Sequence, residues 1–416
     1  MARVLISFLG TGSKTSGEYQ KTNYRFDNSD KDFSHSFVAA AIYEKYRVDK
    51  IFLLGTTHSM WGEVYCYFGT QNNEFDGNIW AEITDHCEKA NHKSELVIPH
   101  ADRIEAALGK GSKVIPIRYG INSDEIRENS DIILRLEEEL SPRDELIIDI
   151  THSFRSLPMY VMNLLIYLRN VSTKRINITH ICYGMLEMTR ELTPPHTPII
   201  EMKELLTVND WISGAYSFVE FGNAYKIAEL VESVDKSLST RLKVFSDAKN
   251  LNHLTAIEKQ CKQLQAIRKN EGRSRIVQMA ITPIVERFLD RMEKGRSMRY
   301  PHSEFQYRLA CWQNDNRNYA AAYISLTEAI VTRACEEIGK EDPFSLETRN
   351  EIKNDFKTIT SNNENYTVLQ PWGTLYWKVS RRRNALAHSM SKNTDNMQAM
   401  IRNLADYLKE YHDLTC

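Results

Sequence analysis

The sequence predicts an α/β fold, with a largely parallel sheet covered on both faces in the first half and an all-α second half. Three observations carry that expectation. Up to about residue 205, short β-rich runs alternate with helical stretches. Several of these runs are apolar nearly throughout, as strands buried on both faces are. Beyond that point the strand signal fades and long amphipathic segments take over. The first half therefore reads as Rossmann-like, and the expected domains are 1–205 and 206–416.

In chain order, Val4 to Leu9 is the first strand and Ser34 to Tyr46 the first helix. Strands follow at Lys50 to Leu54 and Lys113 to Ile117, then a helix over Asp124 to Leu140. Glu145 to Ile150 is a strand, Phe154 to Arg169 a helix, and Ile176 to Cys182 a strand marked by alternation and β-branching. The run Thr193-Pro194-Pro195-His196-Thr197-Pro198 interrupts regular structure, so the domain boundary is expected within Leu192 to Leu206. Helices are expected near Val208 to Val234, Leu242 to Arg268, Ile276 to Glu293, Ala320 to Ile338 and Asn396 to Tyr411, with a lesser break at Lys294 to His302. Leu375, Val379, Leu386 and Met390 can share one face of a further helix.

With 416 residues, 42% of them hydrophobic and 26% charged, the chain is long enough for two or three soluble domains. A formal charge of -2 excludes a global positive field, so any nucleic-acid surface must be a local patch. The cysteines, Cys66, Cys87, Cys182, Cys261, Cys311, Cys335 and Cys416, form no CxxC pair, which fits reduced thiols. The opening run Val4 to Leu9 is too short for a signal peptide's apolar stretch. No run approaches the roughly 20 apolar residues needed to span a bilayer. The expected location is the cytoplasm, with no membrane partner.

Small polar residues gather where the strands stop. Gly10-Thr11-Gly12-Ser13 follows the first strand, and Gly55-Thr56-Thr57-His58-Ser59 the second. Thr151-His152-Ser153-Phe154-Arg155-Ser156 follows the Glu145 run, and Tyr183-Gly184 the last strand. Open parallel sheets bind ligands at the carboxyl ends of their strands. There, glycine permits close backbone approach, hydroxyls and amide hydrogens meet phosphate oxygens, and a helix starting near Phe154 presents its positive end. An anionic, nucleotide-like ligand is expected, held by Gly10, Thr11, Gly12, Thr56, Thr57, Ser59, Thr151, His152, Ser153, Phe154, Arg155 and Ser156. The first loop lacks the P-loop lysine spacing, and Thr15 stands where the dinucleotide fingerprint needs its later glycine, which argues against a nicotinamide enzyme.

The most telling stretch is Arg383-Asn384-Ala385-Leu386-Ala387-His388, preceded by Trp377-Lys378-Val379-Ser380-Arg381-Arg382. It joins a permanent cation to a group titrating near neutrality beside a dense positive patch. That combination suits RNA cleavage without a metal, which needs one group to move the 2'-hydroxyl proton and another to hold the phosphate as charge builds. Arg175 and His180, Arg190 and His196, and Arg296 and His302 have similar spacing but lie in a strand or in loops. The expected catalytic residues are Arg383 and His388, with Lys378, Arg381 and Arg382 gripping RNA phosphates.

Val4 to Gly12 (VLISFLGTG), Thr22 to Asn28 (TNYRFDN), Gly55 to Trp61 (GTTHSMW) and Asp149 to Pro158 (DITHSFRSLP) resemble the CARF sensor domains of CRISPR-associated type III accessory ribonucleases. The helical half, ending in Arg383 to His388, resembles the HEPN ribonuclease domain usually fused to that sensor. The resemblance implies a homodimer or higher homo-oligomer whose sensors bind a cyclic oligoadenylate, with cyclic tetra-adenylate the first choice of ring. It implies that the activator switches on a metal-independent cut in single-stranded RNA, with no cofactor required. It also implies that two copies of the Arg and His build one site, and it makes Asn384 an auxiliary. Relatives often carry glycine where this chain has Ser153, which leaves the ring size open. Base preference, assembly beyond a dimer and cleavage of the activator by the sensor are also left open. The alternative from another class is a ligand-controlled regulator or scaffold whose helical half binds DNA or a partner without catalysis.

Overall fold

The computed structural model describes the chain except for residues 28, 153, 155, 266–278, 280, 294, 296–298, 359–364 and 388–395. The chain divides into two compact units, Met1–Asn209 and Asp210–Cys416.

The first unit is built on an eight-stranded sheet. Its strands are β1 (Arg3–Leu9), β4 (Thr22–Phe26), β5 (Asp32–His35), β6 (Lys50–Gly55), β7 (Lys113–Pro116), β8 (Glu145–Asp149), β9 (Asn177–Gly184) and β10 (Thr197–Glu201). A separate two-stranded ribbon pairs β2 (Lys14–Thr15) with β3 (Glu18–Tyr19). The sheet order is β5-β4-β10-β9-β8-β1-β6-β7. The run from β9 to β7 is parallel throughout, which is the predicted Rossmann-like core. Its period of two is legible in β1. Leu5 and Leu9 pack into a cluster with helices α1 (Val38–Tyr46), α2 (Trp61–Asn72), α3 (Gly77–Lys89) and α4 (Ala101–Leu108). Val4, Ile6 and Phe8 pack on the other face with α5 (Ser123–Glu139) and α6 (Leu157–Asn170). Each such side chain taken fully from water contributes about 1.5–3 kcal/mol.

The structure corrects the sequence reading in particular places. Ser34 and His35 belong to β5, so the first helix starts at Val38. Strands β4 and β5 and helices α2, α3 and α4 were not expected. The predicted interruption at Leu192 to Leu206 holds a strand of its own, β10, between β4 and β9. Pro198 is tolerated there because antiparallel pairing with β9 begins only at Ile199, so no ladder bond to β9 is lost. Helix α6 starts at Leu157, three residues after Phe154, with Pro158 in its first turn, where a missing N–H does no harm.

The second unit is helical, as expected. Its helices are α7 (Glu204–Phe221), which begins in the first unit, α8 (Tyr225–Val231), α9 (Lys236–Asn250), α10 (Leu254–Leu264), α11 (Thr282–Glu293), α12 (Pro301–Asp315), α13 (Tyr319–Glu337), α14 (Leu346–Thr358), α15 (Tyr366–Ala387) and α16 (Met397–Thr415). Two long predicted helices are each split. The first stops at Gly222, whose left-handed φ of 63° favours glycine and where a Cβ would lie 2.2 Å from the Trp312 ring. The second breaks at Asn252, also left-handed at φ 49°. Two apolar clusters form the interior, one from Trp211 to Trp312 and one from Ala310 to Tyr411. Helix α12 serves both, through Phe305 and Leu309 on one side and Ala310 on the other. Among the described residues no helix is long and apolar enough to cross a membrane.

Candidate functional sites: a pocket at the strand ends and an arginine helix

In the first unit the carboxyl ends of β1, β6, β7 and β8 converge on a cavity of about 200 Å³. Gly10 and Thr11 line it from the end of β1, Gly55 and Thr56 from β6, Ile117 from β7, and His152 and Phe154 from the loop after β8. A Cβ on Gly10 would stand 3.1 Å from His152 Nδ1, so glycine is what lets the imidazole lie against the backbone. Tyr119 and Phe154 face each other at 5.9 Å between ring centroids. A larger cavity, about 390 Å³, lies beside Arg3 and Glu145, which begin β1 and β8. It sits at the amino ends of the strands, where parallel sheets do not gather ligands. There Arg3 is paired with Glu145 at 3.1 Å, and Tyr46 stacks on His180.

The remaining expected ligand residues are placed beside or behind the cavity wall. Thr57 and Ser59 are buried. Ser59 Oγ donates to the Leu9 carbonyl at 2.7 Å and lies 3.3 Å from Thr56 Oγ1, tying the β1 and β6 loops together. Gly12 is exposed, at φ 69°. Ser156 precedes α6 without a side-chain cap bond. Ser153 and Arg155 lie outside the described residues.

Behind the wall, the expected residue Thr151 is joined to Ser7, Asp149 and Gly184, which were absent from the expected site residues. Asp149, fully buried, accepts from Ser7 Oγ on β1, from Thr151 Oγ1 at 2.5 Å and from the Thr151 amide at 2.9 Å. Thr151 Oγ1 in turn accepts from the Gly184 amide on β9 at 2.8 Å. One carboxyl group thereby links three neighbouring strand ends and fixes the start of the loop that carries His152. Burial raises the Asp149 carboxyl above its ordinary range, although the Ser7 and Thr151 hydrogen bonds pull the other way. Burial likewise lowers His152, opposed by the Asp149 charge, which favours a neutral ring. A signal for this group was in the sequence: Ser7 and Asp149 are the polar residues in runs otherwise apolar, VLISFL and LIID.

In the second unit the arginine run lies on α15, as its helical setting predicted. That helix is anchored by Trp372 Nε1, which donates to Glu337 Oε2 on α13 at 2.7 Å, and by Trp377 Nε1, which donates to the Phe356 carbonyl on α14 at 3.2 Å. Tyr376 is core, packed near Phe356. The three arginines do not share one environment. Arg381 is exposed, while Arg382 and Arg383 are half-buried. Arg383 follows Tyr376, Val379 and Ser380 by seven, four and three positions, so it continues the stripe those buried residues occupy. Its charge reaches Tyr376, whose hydroxyl is pushed up by burial and pulled back by the guanidinium. The Arg383 Nε is buried and makes no hydrogen bond among the described residues. Asn384 is exposed. Lys378 is engaged by both oxygens of Glu410, at 2.8 and 3.0 Å. His388 lies outside the described residues, as does Met390. No cluster of three or more His, Cys, Asp or Glu arranged to hold a metal occurs among the described residues.

Comparison with known proteins agrees with this division. Residues 4–187 match the family model for the CARF domain of CRISPR system endoribonuclease Csx1. Residues 207–302 match the model for the second domain of CRISPR-associated protein MJ1674. The CRISPR-associated protein MJ1674 of Methanocaldococcus jannaschii is 30% identical over 415 residues, 95% of this chain and 64% of that protein. The chain thus spans 64% of the length of that relative. Csm6 from Enterococcus italicus, bound to cyclic hexa-2'-fluoro-hexa-dAMP, covers 99% of this chain with 93% of its own, at 12% identity and a TM-score of 0.42. The first unit is thus similar to a CARF domain over residues 4–187, and the likeness to CRISPR-associated proteins extends into the helical unit.

Proposed function

We propose that this chain is an endoribonuclease of type III CRISPR defence, switched on by a cyclic oligoadenylate and active in the cytoplasm. The observation that carries the reading is the cavity at the ends of β1, β6, β7 and β8, within the CARF domain. It combines the Gly10 approach with an imidazole that burial favours in its neutral form, as suits an adenylate. At about 200 Å³ it is smaller than the roughly 300–1,000 Å³ of sites that enclose a whole drug-sized ligand. One copy therefore supplies part of a cradle, and two copies related by a two-fold axis enclose a ring. A four-membered ring, with its own two-fold symmetry, is the preferred activator.

The RNA is cut by the HEPN-like end of the second unit. His388 takes the 2'-hydroxyl proton or returns one to the leaving 5'-oxygen, and Arg383 stabilises the pentacoordinate phosphate. The 2'-oxygen attacks phosphorus and the bond to the 5'-oxygen breaks, leaving a 2',3'-cyclic phosphate and a 5'-hydroxyl. Asn384 assists at the site, while Arg381 and Arg382 hold the strand through its phosphates. No metal enters these steps.

A fluorescent single-stranded RNA, incubated in EDTA with cyclic tri-, tetra- or hexa-adenylate, tests the reading directly. Cutting should be slow without a ring and fastest with the tetra-adenylate. RNA left intact with every ring, together with a shift of duplex DNA on binding one, would replace this reading with the non-catalytic regulator.

A further inference from the structure

We infer that the exposed indole of Trp377 is a stacking platform for a base of single-stranded RNA, with Lys357 and Arg381 beside it as phosphate contacts. Trp211, Trp312 and Trp372, in the same unit, are buried, whereas Trp377 is 42% exposed. The exposure does not serve its one polar atom, because Nε1 donates to the Phe356 carbonyl at 3.2 Å. That bond, with the Tyr376 ring set edge-on at 5.2 Å and 79°, fixes the indole against α14. What faces water is apolar ring surface held in one orientation, so a base landing on it finds a partner already ordered.

Charge around the ring is sorted by sign. On α14, Lys357 Nζ lies over the indole, 5.9 Å from its centroid, and Lys353 stands one turn earlier on the same stripe. Glu347, Glu351 and Asp355 form a separate stripe about 140° around that helix, where Glu351 is taken up by Lys340 at 2.8 Å. On α15, Trp377, Arg381 and Asn384 are all exposed and fall within an arc of about 60°. Neither Lys357 nor Arg381 makes an ion pair among the described residues, in contrast to Lys378, which Glu410 holds.

These features name the occupant. A protein covering Trp377 would meet a single apolar ring set among Gln370, Thr374, Lys357 and Arg381, all exposed, and not the contiguous apolar patch that marks such contacts. A single strand of nucleic acid brings a flat base for the indole and phosphates for the uncommitted cations. A duplex keeps its base faces inside its own stack. Stacking on the ring tolerates any base, since each has a π-face. The exposed stripe runs from Trp377 through Arg381 to Asn384, so a base held at its start guides the strand toward the catalytic end of α15. In that respect the inference rests on the ribonuclease reading, which it deepens.

The test is the anisotropy of a labelled 2'-O-methyl oligouridine, which cannot be cut, bound to the full chain in EDTA with and without cyclic tetra-adenylate, beside an abasic strand of equal length. Wild type should hold the oligouridine about 5- to 100-fold more tightly than the abasic strand, the span of one stacked base. Trp377→Ala and the bulkier Trp377→Leu should each lose that margin on oligouridine and nothing on the abasic strand, with the salt slope unchanged, and Trp377→Phe should recover most of it. Lys357→Ala should weaken both strands alike and reduce the salt slope by about one phosphate contact. Equal wild-type affinity for the two strands, or Trp377→Ala and Trp377→Leu proteins that bind oligouridine as wild type does, would overturn the inference. Cutting of an unmodified strand reports on the ribonuclease reading alone: a chain that stacks a base on Trp377 and cuts nothing keeps this inference without that reading.

Discussion

The strand-end pocket and the arginine helix are held in opposite ways. Behind the pocket, the buried Asp149 is met by donors on both carboxyl oxygens, and the links run through Ser7, Thr151 and Gly184 to three strands. On α15, Arg383 continues a buried stripe, yet its Nε finds no hydrogen bond among the described residues. A buried polar group left unmet costs about 1–3 kcal/mol, more when charged. The pocket is thus braced by its own scaffold, whereas on the arginine helix one buried guanidinium nitrogen, Arg383 Nε, has no hydrogen bond among the described residues. Under the proposed function, a braced ligand pocket leaves binding energy available for ordering elsewhere in the chain.

The contrast breaks most sharply through His388→Ala. That change should lower RNA cleavage by about 10²–10⁴-fold, the span of general acid–base catalysis, and leave activator affinity unchanged. Arg383→Ala should cost about 10²–10³-fold, as loss of a transition-state donor does. Cleavage rates in EDTA and calorimetric binding of the ring check both. Wild-type cutting by His388→Ala would remove His388 from the chemistry.

The converse experiment strikes the scaffold. Asp149→Ala strips Ser7 and Thr151 of their acceptor and should cost about 2–3 kcal/mol. In a unit of this size that lowers the melting temperature by roughly 4–12 °C. Activator affinity should fall with it. Asp149→Asn, which keeps an acceptor for Thr151, should recover much of both. An Asp149→Ala protein that binds the ring as tightly as wild type would show that the loop does not need its brace.

A smaller effect is expected from pH. Burial holds His152 below its ordinary value near 6.5, so the unfolded chain takes up the proton first as pH falls. The stability from the neutral ring is full above that value and is lost as pH drops below it. Asp149 acts with the opposite sign: its raised carboxyl contributes below the ordinary carboxylate range and is penalised as pH rises through its folded value. Melting of wild type and His152→Asn between about pH 7.5 and 5.5 isolates the ring, since the wild type should lose more. Parallel curves would remove His152 from the balance. The smallest effect belongs to Lys378→Ala. With its ammonium already shared by both Glu410 oxygens, its loss should change RNA affinity and the salt slope by less than one phosphate contact.

What could be read in the sequence follows from how local each signal was. Strands β1, β6 and β8 were legible because burial on both faces makes them apolar along most of their length, and β9 was legible from its alternation and β-branching. Strand β10 was not, since Thr197, Pro198 and Glu201 read as a turn until β4 and β9 are seen on either side. Helix α2 carries Gly62, Gly69 and a run of aromatics, which weaken the helical signal although Trp61, Val64, Tyr65 and Phe68 all pack inward. At the pocket, the loop residues announced themselves by type. The Ser7 to Asp149 bond did not, because its partners are 142 residues apart. The same holds at the arginine helix. The motif was plain, whereas the Glu410 carboxylate that occupies Lys378 comes from another helix, 32 residues on.

That long reach has a consequence during synthesis. Strand β1 lies between β6 and β8, and its bond from Ser7 to Asp149 spans 142 residues of chain. At ribosomal rates of about 5–20 residues per second, β1 waits on the order of 7–30 s before β8 exists to pair with it. Until then an apolar strand presents an open edge, a template for aggregation. Chains interrupted before residue 149 should collect in the insoluble fraction, and the nascent protein should depend on holdase chaperones until β8 has left the ribosome.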